Sequence, residues 1–348
     1  MKKKELIFSN NFASHSDLIY SQTISYTEFK KTYSNEKNIE VVNYTKNPLF
    51  DAITYKLKYF NLTENCIIYT NSDLIENLFN HLRNVNFRNI ILITNQSDRA
   101  INKSVFLKRP HCISKWYAIN VNYIDKDLIP IPLGLSNNIS KKNLTESSFS
   151  EMEYNFNSQK INKLYINFNE NTNYKERTWI KDYFSNKEFA YIENSILDLR
   201  EYQEKLTNYR FVLCPFGNGF DSHRIWETLY SGSIPVVMNH PTFNCLNDLP
   251  VIMVDDFKNI TEQYLLNRLE DLRYQDLDFK KLELDWWIDN IRKNKIEQTS
   301  ENILIDSNTM YQKLFLLKLT FKQKTHSLLK KLIYNLRRIK KLKKYVTK

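Results

Sequence analysis

The 348-residue chain is poor in the residues that usually announce a function. It holds only four glycines and four cysteines. The cysteines (Cys66, Cys112, Cys214 and Cys245) are widely spaced and form no C-x-x-C pair, which excludes a disulfide scaffold and a compact zinc motif. They read as reduced, buried thiols of a cytosolic protein. No apolar run approaches the ~18 residues a membrane-spanning helix needs. The charged opening Met1–Lys4 is followed by a stretch too short for the apolar core of a secretory signal, so no leader is expected. There is no internal repeat.

Scarce glycine is informative where it persists, because a chain keeps it where the backbone takes φ > 0 or approaches a ligand closely. Three of the four, Gly217, Gly219 and Gly232, fall in the window FVLCPFGNGFDSHRIWETLYSGSIPVV from Phe211 to Val237. The pattern predicts an apolar strand, a turn, a helix opening at Asp221-Ser222, and a second apolar strand. The first amides of a helix lack intrahelical partners and, with the macrodipole, favour an anion such as a phosphate. Ser222 can cap or donate a hydroxyl, and Arg224 can grip a diphosphate in bidentate fashion. Glu227 lies three residues on, on the same helical face, suited to ribose hydroxyls. The alternative is a buried βαβ unit whose Arg224 and Glu227 form a structural ion pair.

The charge is unevenly placed. From Tyr311 to Lys348 there are thirteen Lys and Arg and no acid, while the remaining 310 residues hold 37 basic and 39 acidic side chains. The net charge of +11 is therefore a property of the tail. There, Leu328, Leu329, Leu332, Ile333, Leu336 and Ile339 recur at helical spacing between basic residues, which predicts an amphipathic helix lying on an anionic membrane surface through residues 328–348. Packing on the body or on a second subunit is the alternative. Nucleic acid is not expected as a partner, because the body lacks a binding module and a matching charge excess.

Along the body, strands are predicted at Glu5 to Phe8, Glu40 to Tyr44, Cys66 to Tyr69, Ile90 to Thr94 and Ile129 to Leu133. Helices are predicted near Leu49 to Phe60, Asp73 to Leu82 and Ala100 to Lys108. A polar stretch from Ser136 to Lys160 interrupts the pattern. The alternation then resumes through KLYINFN, a helix from Tyr174 to Phe184, AYIEN, a helix from Ile196 to Leu206, and the window above, and Thr261 to Ile296 reads as helical throughout. The reading is α/β, with two doubly wound, Rossmann-like domains facing a cleft and a basic amphipathic C-terminal helix. The expected domains are residues 1–140, then a linker 141–160, a second domain 161–300, and a helical segment with its tail over 301–348.

The window carries Pro215, Gly217, Asp221, Ser222, Arg224, Trp226, Glu227, Leu229, Gly232, Ile234, Pro235 and Val236 in the order of the donor-binding core of exostosin-type glycosyltransferases, which it resembles. The resemblance implies a GT-B fold, with residues 1–140 as the acceptor-side domain and 161–300 as the nucleotide-sugar-binding domain, and a nucleotide diphosphate sugar as donor, bound by Gly217, Asp221, Ser222, His223, Arg224 and Glu227. The loop after KLYINFN, with Asn169, Thr172, Asn173 and Arg177, resembles the family's second signature and implies Arg177 as a further diphosphate ligand. More weakly, IILITNQSD, KWYAIN and LIPIPLGL resemble the acceptor-side half, which carries over Asp98, Trp116, Asn120, Pro132 and Gly134. An inverting transfer needs a general base, for which Asp98 is the candidate and Asp73 the reserve. The expected acceptor is a growing cell-surface glycan, as in lipopolysaccharide or capsule assembly, for which the basic tail suggests a lipid link. A fucosyltransferase-like enzyme, whose usual Tyr-x-Thr-Glu-Lys motif is absent, and a non-catalytic glycan-binding scaffold are the alternatives. Asp125-Lys126-Asp127 and Asp276-Leu277-Asp278 imitate a metal-binding pair without following a long apolar strand, so no metal and no cofactor are expected. The enzyme is expected to work in the cytoplasm, peripheral on the inner face of the membrane.

Overall fold

The computed structural model describes residues 5–149, 156, 158–296 and 302–306, together with 317, 321, 325 and 328. In chain order the strands of the first half are β1 (Leu18–Ile19), β2 (Ser21–Ser25), β3 (Ile39–Asn47), β4 (Phe50–Leu57), β5 (Tyr59–Thr63), β6 (Ile67–Asn71), β7 (Ile90–Asn95), β8 (Ile101–Asn102), β9 (Ile113–Ala118), β10 (Val121–Asn122) and β11 (Leu128–Pro130). The later strands are β12 (Ile161–Ile166), β13 (Ala190–Ile192), β14 (Tyr209–Leu213), β15 (Ile234–Met238), β16 (Ile252–Val254) and β17 (Asn302–Asp306). The helices are α1 (Asn11–Ser14), α2 (Tyr26–Tyr33), α3 (Ile75–Leu82), α4 (Lys103–Phe106), α5 (Tyr174–Phe184), α6 (Leu199–Asn208), α7 (His223–Tyr230), α8 (Glu262–Tyr274) and α9 (Leu284–Arg292).

Two five-stranded parallel sheets organise these elements, in the orders β1-β6-β7-β9-β11 and β13-β12-β14-β15-β16. Their central strands are the continuous apolar runs that a parallel sheet, buried on both faces, requires: every residue of β6, β7 and β14 is buried. Strand alternation then divides the core. Tyr69, Ile93 and Tyr117 of the first sheet share one apolar cluster with Tyr165, Val212 and Val237 of the second, joined by Trp226 and Tyr230 of α7. The opposite faces build separate clusters, one around Ile68, Leu92 and Trp116 and one around Leu164, Phe211 and Val236. Polar ties reinforce the shared core: the Tyr230 hydroxyl accepts from Ile7 N at 2.9 Å and donates to Leu282 O at 2.8 Å.

The helix expected near Leu49 to Phe60 is instead the strands β4 and β5. In β4, the middle strand of an antiparallel sheet ordered β2-β4-β3, the stretch from Ala52 to Lys56 has buried residues on both faces, Ile53 and Tyr55 on one and Ala52 and Lys56 on the other, while Phe50 is exposed. The buried residues of the strand therefore come in doublets, Ala52-Ile53 and Tyr55-Lys56, which imitate helical periodicity. The predicted strand at Glu40 to Tyr44 lies within β3 of this sheet, outside the parallel one, and Glu5 to Phe8 contributes only isolated bridges. Of the helix expected over Ala100 to Lys108, only Lys103–Phe106 forms, capped by the Asn102 side chain. The helical stretch from Thr261 to Ile296 is broken between α8 and α9, where Asp278 caps a short 3-10 turn, Phe279–Leu282. Within the polar stretch after Ser136, Ile139, Leu144 and Phe149 are buried. The basic tail lies outside the described residues apart from Leu317, Phe321, Thr325 and Leu328, which are helical and exposed.

Candidate functional site

A cavity of about 580 Å³ opens where the carboxyl ends of the two parallel sheets face each other. From the first sheet it is lined by Gln96, Ser97 and Asp98 after β7, Ile119 and Asn120 after β9, and Leu133 after β11. From the second come Thr172 and Arg177 beyond β12, Gly217, Asn218 and Gly219 after β14, and Asp221, Ser222, His223, Arg224 and Glu227 at the start of α7. Ligands of open α/β sheets bind at such strand ends. The fold therefore gathers residues from both halves of the chain into one pocket.

The α7 residues divide into those that hold the pocket and those that are open to it. The Asp221 carboxylate is buried and accepts from Leu133 N at 2.9 Å, Ser222 N at 2.7 Å and Trp226 Nε1 at 3.1 Å, tying the loop after β11 to the start of α7. Burial raises its pKa to about 6 against those hydrogen bonds. His223 sits 2.8 Å from Gly134 O through Nδ1, so Nδ1 carries the proton, donates to that carbonyl, and leaves Nε2 as an acceptor. Burial lowers its pKa, which keeps the ring neutral. Gly134 has φ +73°, and a Cβ there would lie 2.4 Å from Ile7 O, so this backbone position admits only glycine. Ser222 precedes α7 without a side-chain capping bond, and its residue lines the cavity.

Arg224 and Glu227 share a helical face but form no ion pair among the described residues. The buried Glu227 carboxylate instead accepts from the Tyr202 hydroxyl at 2.9 Å and from Leu144 N at 3.3 Å, and burial raises its pKa. The Arg224 guanidinium lies 5.6 Å from the centre of the Tyr202 ring. Its Nη1 is buried with no hydrogen-bond partner, and among the described residues it is the one such atom that belongs to a cavity-lining side chain. A buried donor without an acceptor costs about 1–3 kcal/mol, so an anionic group that reached this nitrogen from the cavity would be stabilised there.

Arg177 lines the cavity as its sequence context implies, but three of its donors are already engaged by protein. It is 6% exposed, and its guanidinium donates to three carbonyls: Phe216 at 2.8 Å, Asn169 at 3.0 Å and Pro215 at 3.0 Å. Burial, then the charge of Arg224, pushes its pKa down to about 10. Most of its donor capacity is spent fixing the glycine loop against the loop after β12. Gly217 packs beside it, its virtual Cβ 3.5 Å from Nη2. Asn120 likewise acts as a clasp: its side-chain oxygen accepts from Phe220 N at 2.8 Å and Asp221 N at 3.0 Å, and its amide donates to Ser97 O at 3.1 Å.

Trp116, expected on the acceptor side, does not reach the cavity. Alternation along β9 turns it to the outer face of the first sheet, fully buried against Phe79 and Phe106, with Nε1 donating to Thr94 Oγ1 at 2.9 Å. Asp98 lines the cavity and is exposed at its rim. Asp73 does not line it; its Oδ1 accepts from the Ser97 hydroxyl at 2.7 Å, which steadies the loop that carries Asp98. Asp127 pairs with Lys115 at 2.8 Å while Asp125 caps Asp127 N, and Asp278 caps Lys280 N, so both acidic triplets serve local turns. Sequence reading missed Tyr202, Thr23, Phe50, Gln96 and Lys142, which also line the cavity. Tyr202 faces α7 from the capped helix α6, a contact between elements that no local pattern encodes.

Residues 154–307 match the family model of the RXYLT1 C-terminal domain, an exostosin-related domain, and the match supports a glycosyltransferase-family domain in this part of the chain. It covers less than half of the chain but contains Arg177 and the whole segment from Gly217 to Glu227. Asp98, Asn120 and Trp116 lie outside it. A solved structure described as "Crystal Structure of alpha1,3-Fucosyltransferase" is similar at 15% identity with a TM-score of 0.35, covering 66% of this chain and 78% of that one, a likeness too loose to decide details of fold or site. No curated protein matches the chain.

Proposed function

We propose that the protein is an inverting, metal-independent glycosyltransferase that moves a sugar from a nucleotide diphosphate sugar to a growing glycan. Residues 161–300 form the donor-binding half and residues 1–140 the acceptor half. The observation that carries the reading is the unpartnered, buried Nη1 of Arg224 at a cavity between the carboxyl ends of two parallel sheets.

In this reading the diphosphate lies against the start of α7, held by Arg224 and the Ser222 hydroxyl. Arg224 stabilises the negative charge that grows on the leaving group as the glycosidic bond to phosphate breaks. Glu227, fixed by Tyr202, keeps free lone pairs for ribose hydroxyls. His223 offers Nε2 to a donor hydroxyl. Arg177 acts by setting the glycine loop rather than by holding phosphate directly. Asp98 at the rim takes the proton from the acceptor hydroxyl as it attacks the anomeric carbon, and Asp73 positions its loop through Ser97. The basic residues 328–348 place the enzyme on the anionic inner face of a membrane in the cytoplasm, where a lipid-linked acceptor would be presented. No helix among the described residues is long and apolar enough to cross a membrane.

The test is turnover: release of nucleotide diphosphate from UDP-, GDP- and dTDP-sugars, and of CMP from CMP-sugars, with EDTA present. Turnover by the wild type, lost in Arg224→Ala and reduced at least a hundredfold in kcat by Asp98→Asn, supports the reading. Binding of a nucleotide sugar with no turnover under any condition would leave a scaffold of the same fold. Activity that needs Mn²⁺ or Mg²⁺ would remove the metal-independent part.

A further inference from the structure

The antiparallel sheet β2-β4-β3 has two faces of opposite character. Residues of odd number in β4 face α2: Ile53 and Tyr55 pack there with Ile24, Phe29 and Tyr33. The register puts Phe50 and Thr54 of β4, Thr23 of β2, and Asn43, Thr45 and Asn47 of β3 on the other face. That second face is closed at one end, where Lys56 is buried and paired with Glu40 at 2.8 Å. Toward Phe50 it opens, with Phe50 37% exposed and Asn47 exposed.

The open end runs into the cavity. Phe50 and Thr23 both line the pocket, and Phe50 forms a β-bridge to Ser140, another lining residue. Backbone bonds on either side of it, Lys141 N to Leu49 O at 3.2 Å and Asp51 N to Ile139 O at 3.4 Å, splice the lining loop onto the sheet. The strip carries hydroxyls, carboxamides and one aromatic ring, with Phe50 and Asn47 exposed, Thr23, Asn43, Thr45 and Thr54 half-buried and Ala52 buried between them, and it carries no charge, because the register puts Lys46 and Asp51 on the opposite face. From Phe50 to Thr54 it spans about 14 Å.

We propose that this strip binds the acceptor and that the acceptor is a neutral oligosaccharide. The proposal rests on the glycosyltransferase reading above and extends it to a region of the chain that lies outside the matched family domain. Hydroxyls and amides match a polyhydroxylated ligand, and Phe50 offers a face to the C–H side of a sugar ring. The strip itself offers an anionic glycan no basic side chain, Lys142 lying beyond it on the spliced loop, and the lack of an aliphatic surface leaves a lipid chain nothing to cover. The strip leads to the pocket that the donor sugar would occupy, so a chain lying along it delivers its end to the transfer site.

The test uses the full-length protein, fluorescently labelled, on an array of neutral, sialylated and sulfated oligosaccharides, followed by calorimetry of the neutral oligosaccharide retained best. The expected result is retention of neutral oligosaccharides, with affinity lowered at least tenfold in Phe50→Ala and in Thr45→Lys and unchanged in Lys46→Ser on the opposite face. No neutral oligosaccharide retained, retention confined to charged ones, or unchanged affinity in both strip variants would overturn the proposal. Binding of UDP, GDP, dTDP and CMP is measured on the same samples. A wild type that binds a nucleotide but no neutral glycan refutes the strip alone, whereas one that binds glycan through Phe50 but no nucleotide refutes the donor site alone.

Discussion

Asn120 and Gly219 fit against each other across the cleft: a Cβ on Gly219 would lie 2.8 Å from both terminal atoms of the Asn120 side chain. The same side chain holds Phe220 and Asp221 by their amides. Gly219→Ala must therefore push the clasp away, at a cost of about 1–3 kcal/mol. A double-mutant cycle with Asn120→Ala, measured by urea unfolding, should show that the second substitution costs much less once the first is made. Additive losses would show that the two residues act separately.

Arg177 is expected to matter for stability first. Arg177→Ala leaves the buried carbonyl of Pro215 and the half-buried ones of Phe216 and Asn169 without this donor and should lower the unfolding free energy by about 1–3 kcal/mol. Arg177→Lys cannot span the carbonyls of Phe216, Pro215 and Asn169 together and should recover less than half of that loss. Urea midpoints decide the matter, and a wild-type midpoint in Arg177→Ala would return Arg177 to the role of a plain phosphate ligand.

Asp221 gives a pH signature. Its folded pKa of about 6 lies above its ordinary 3.8, so the folded state favours the protonated acid. The resulting stability is fully present below pH 3.8 and is lost as pH rises through about 6. Comparison with Asp221→Asn removes the contribution of the other carboxylates. The wild type should gain stability relative to the variant between pH 7 and pH 4, by up to about 3 kcal/mol. A pH-independent difference between the two thermal midpoints would contradict the shift.

Much of the donor side was legible because local sequence encodes it. The strand, turn and helix from Phe211 to Tyr230 follow from apolar runs, glycines and an Asp-Ser start, and α5 has the predicted bounds Tyr174–Phe184. What local pattern does not encode is which face a residue takes and which distant group claims it. Trp116 and Tyr117 are adjacent, yet alternation sends one to the outer core and the other between the sheets. Arg177 looks like a free cation until the carbonyls of Phe216 and Pro215 from the glycine loop, and of Asn169 from the loop before its own helix, are placed around it. The β4 strand was misread because burial on both faces erases the period of two.

The central claim, that Arg224 is the anion-binding residue of a nucleotide site, is tested most directly by calorimetry with UDP, GDP, dTDP and CMP on the wild type and Arg224→Met, with thermal midpoints recorded on the same samples. The account predicts that one nucleotide binds the wild type and loses about a hundredfold in affinity in the variant, while the midpoint of the variant stays level or rises because an unsatisfied buried nitrogen is gone. Equal affinity in the two proteins, or no nucleotide bound by the wild type, would contradict it.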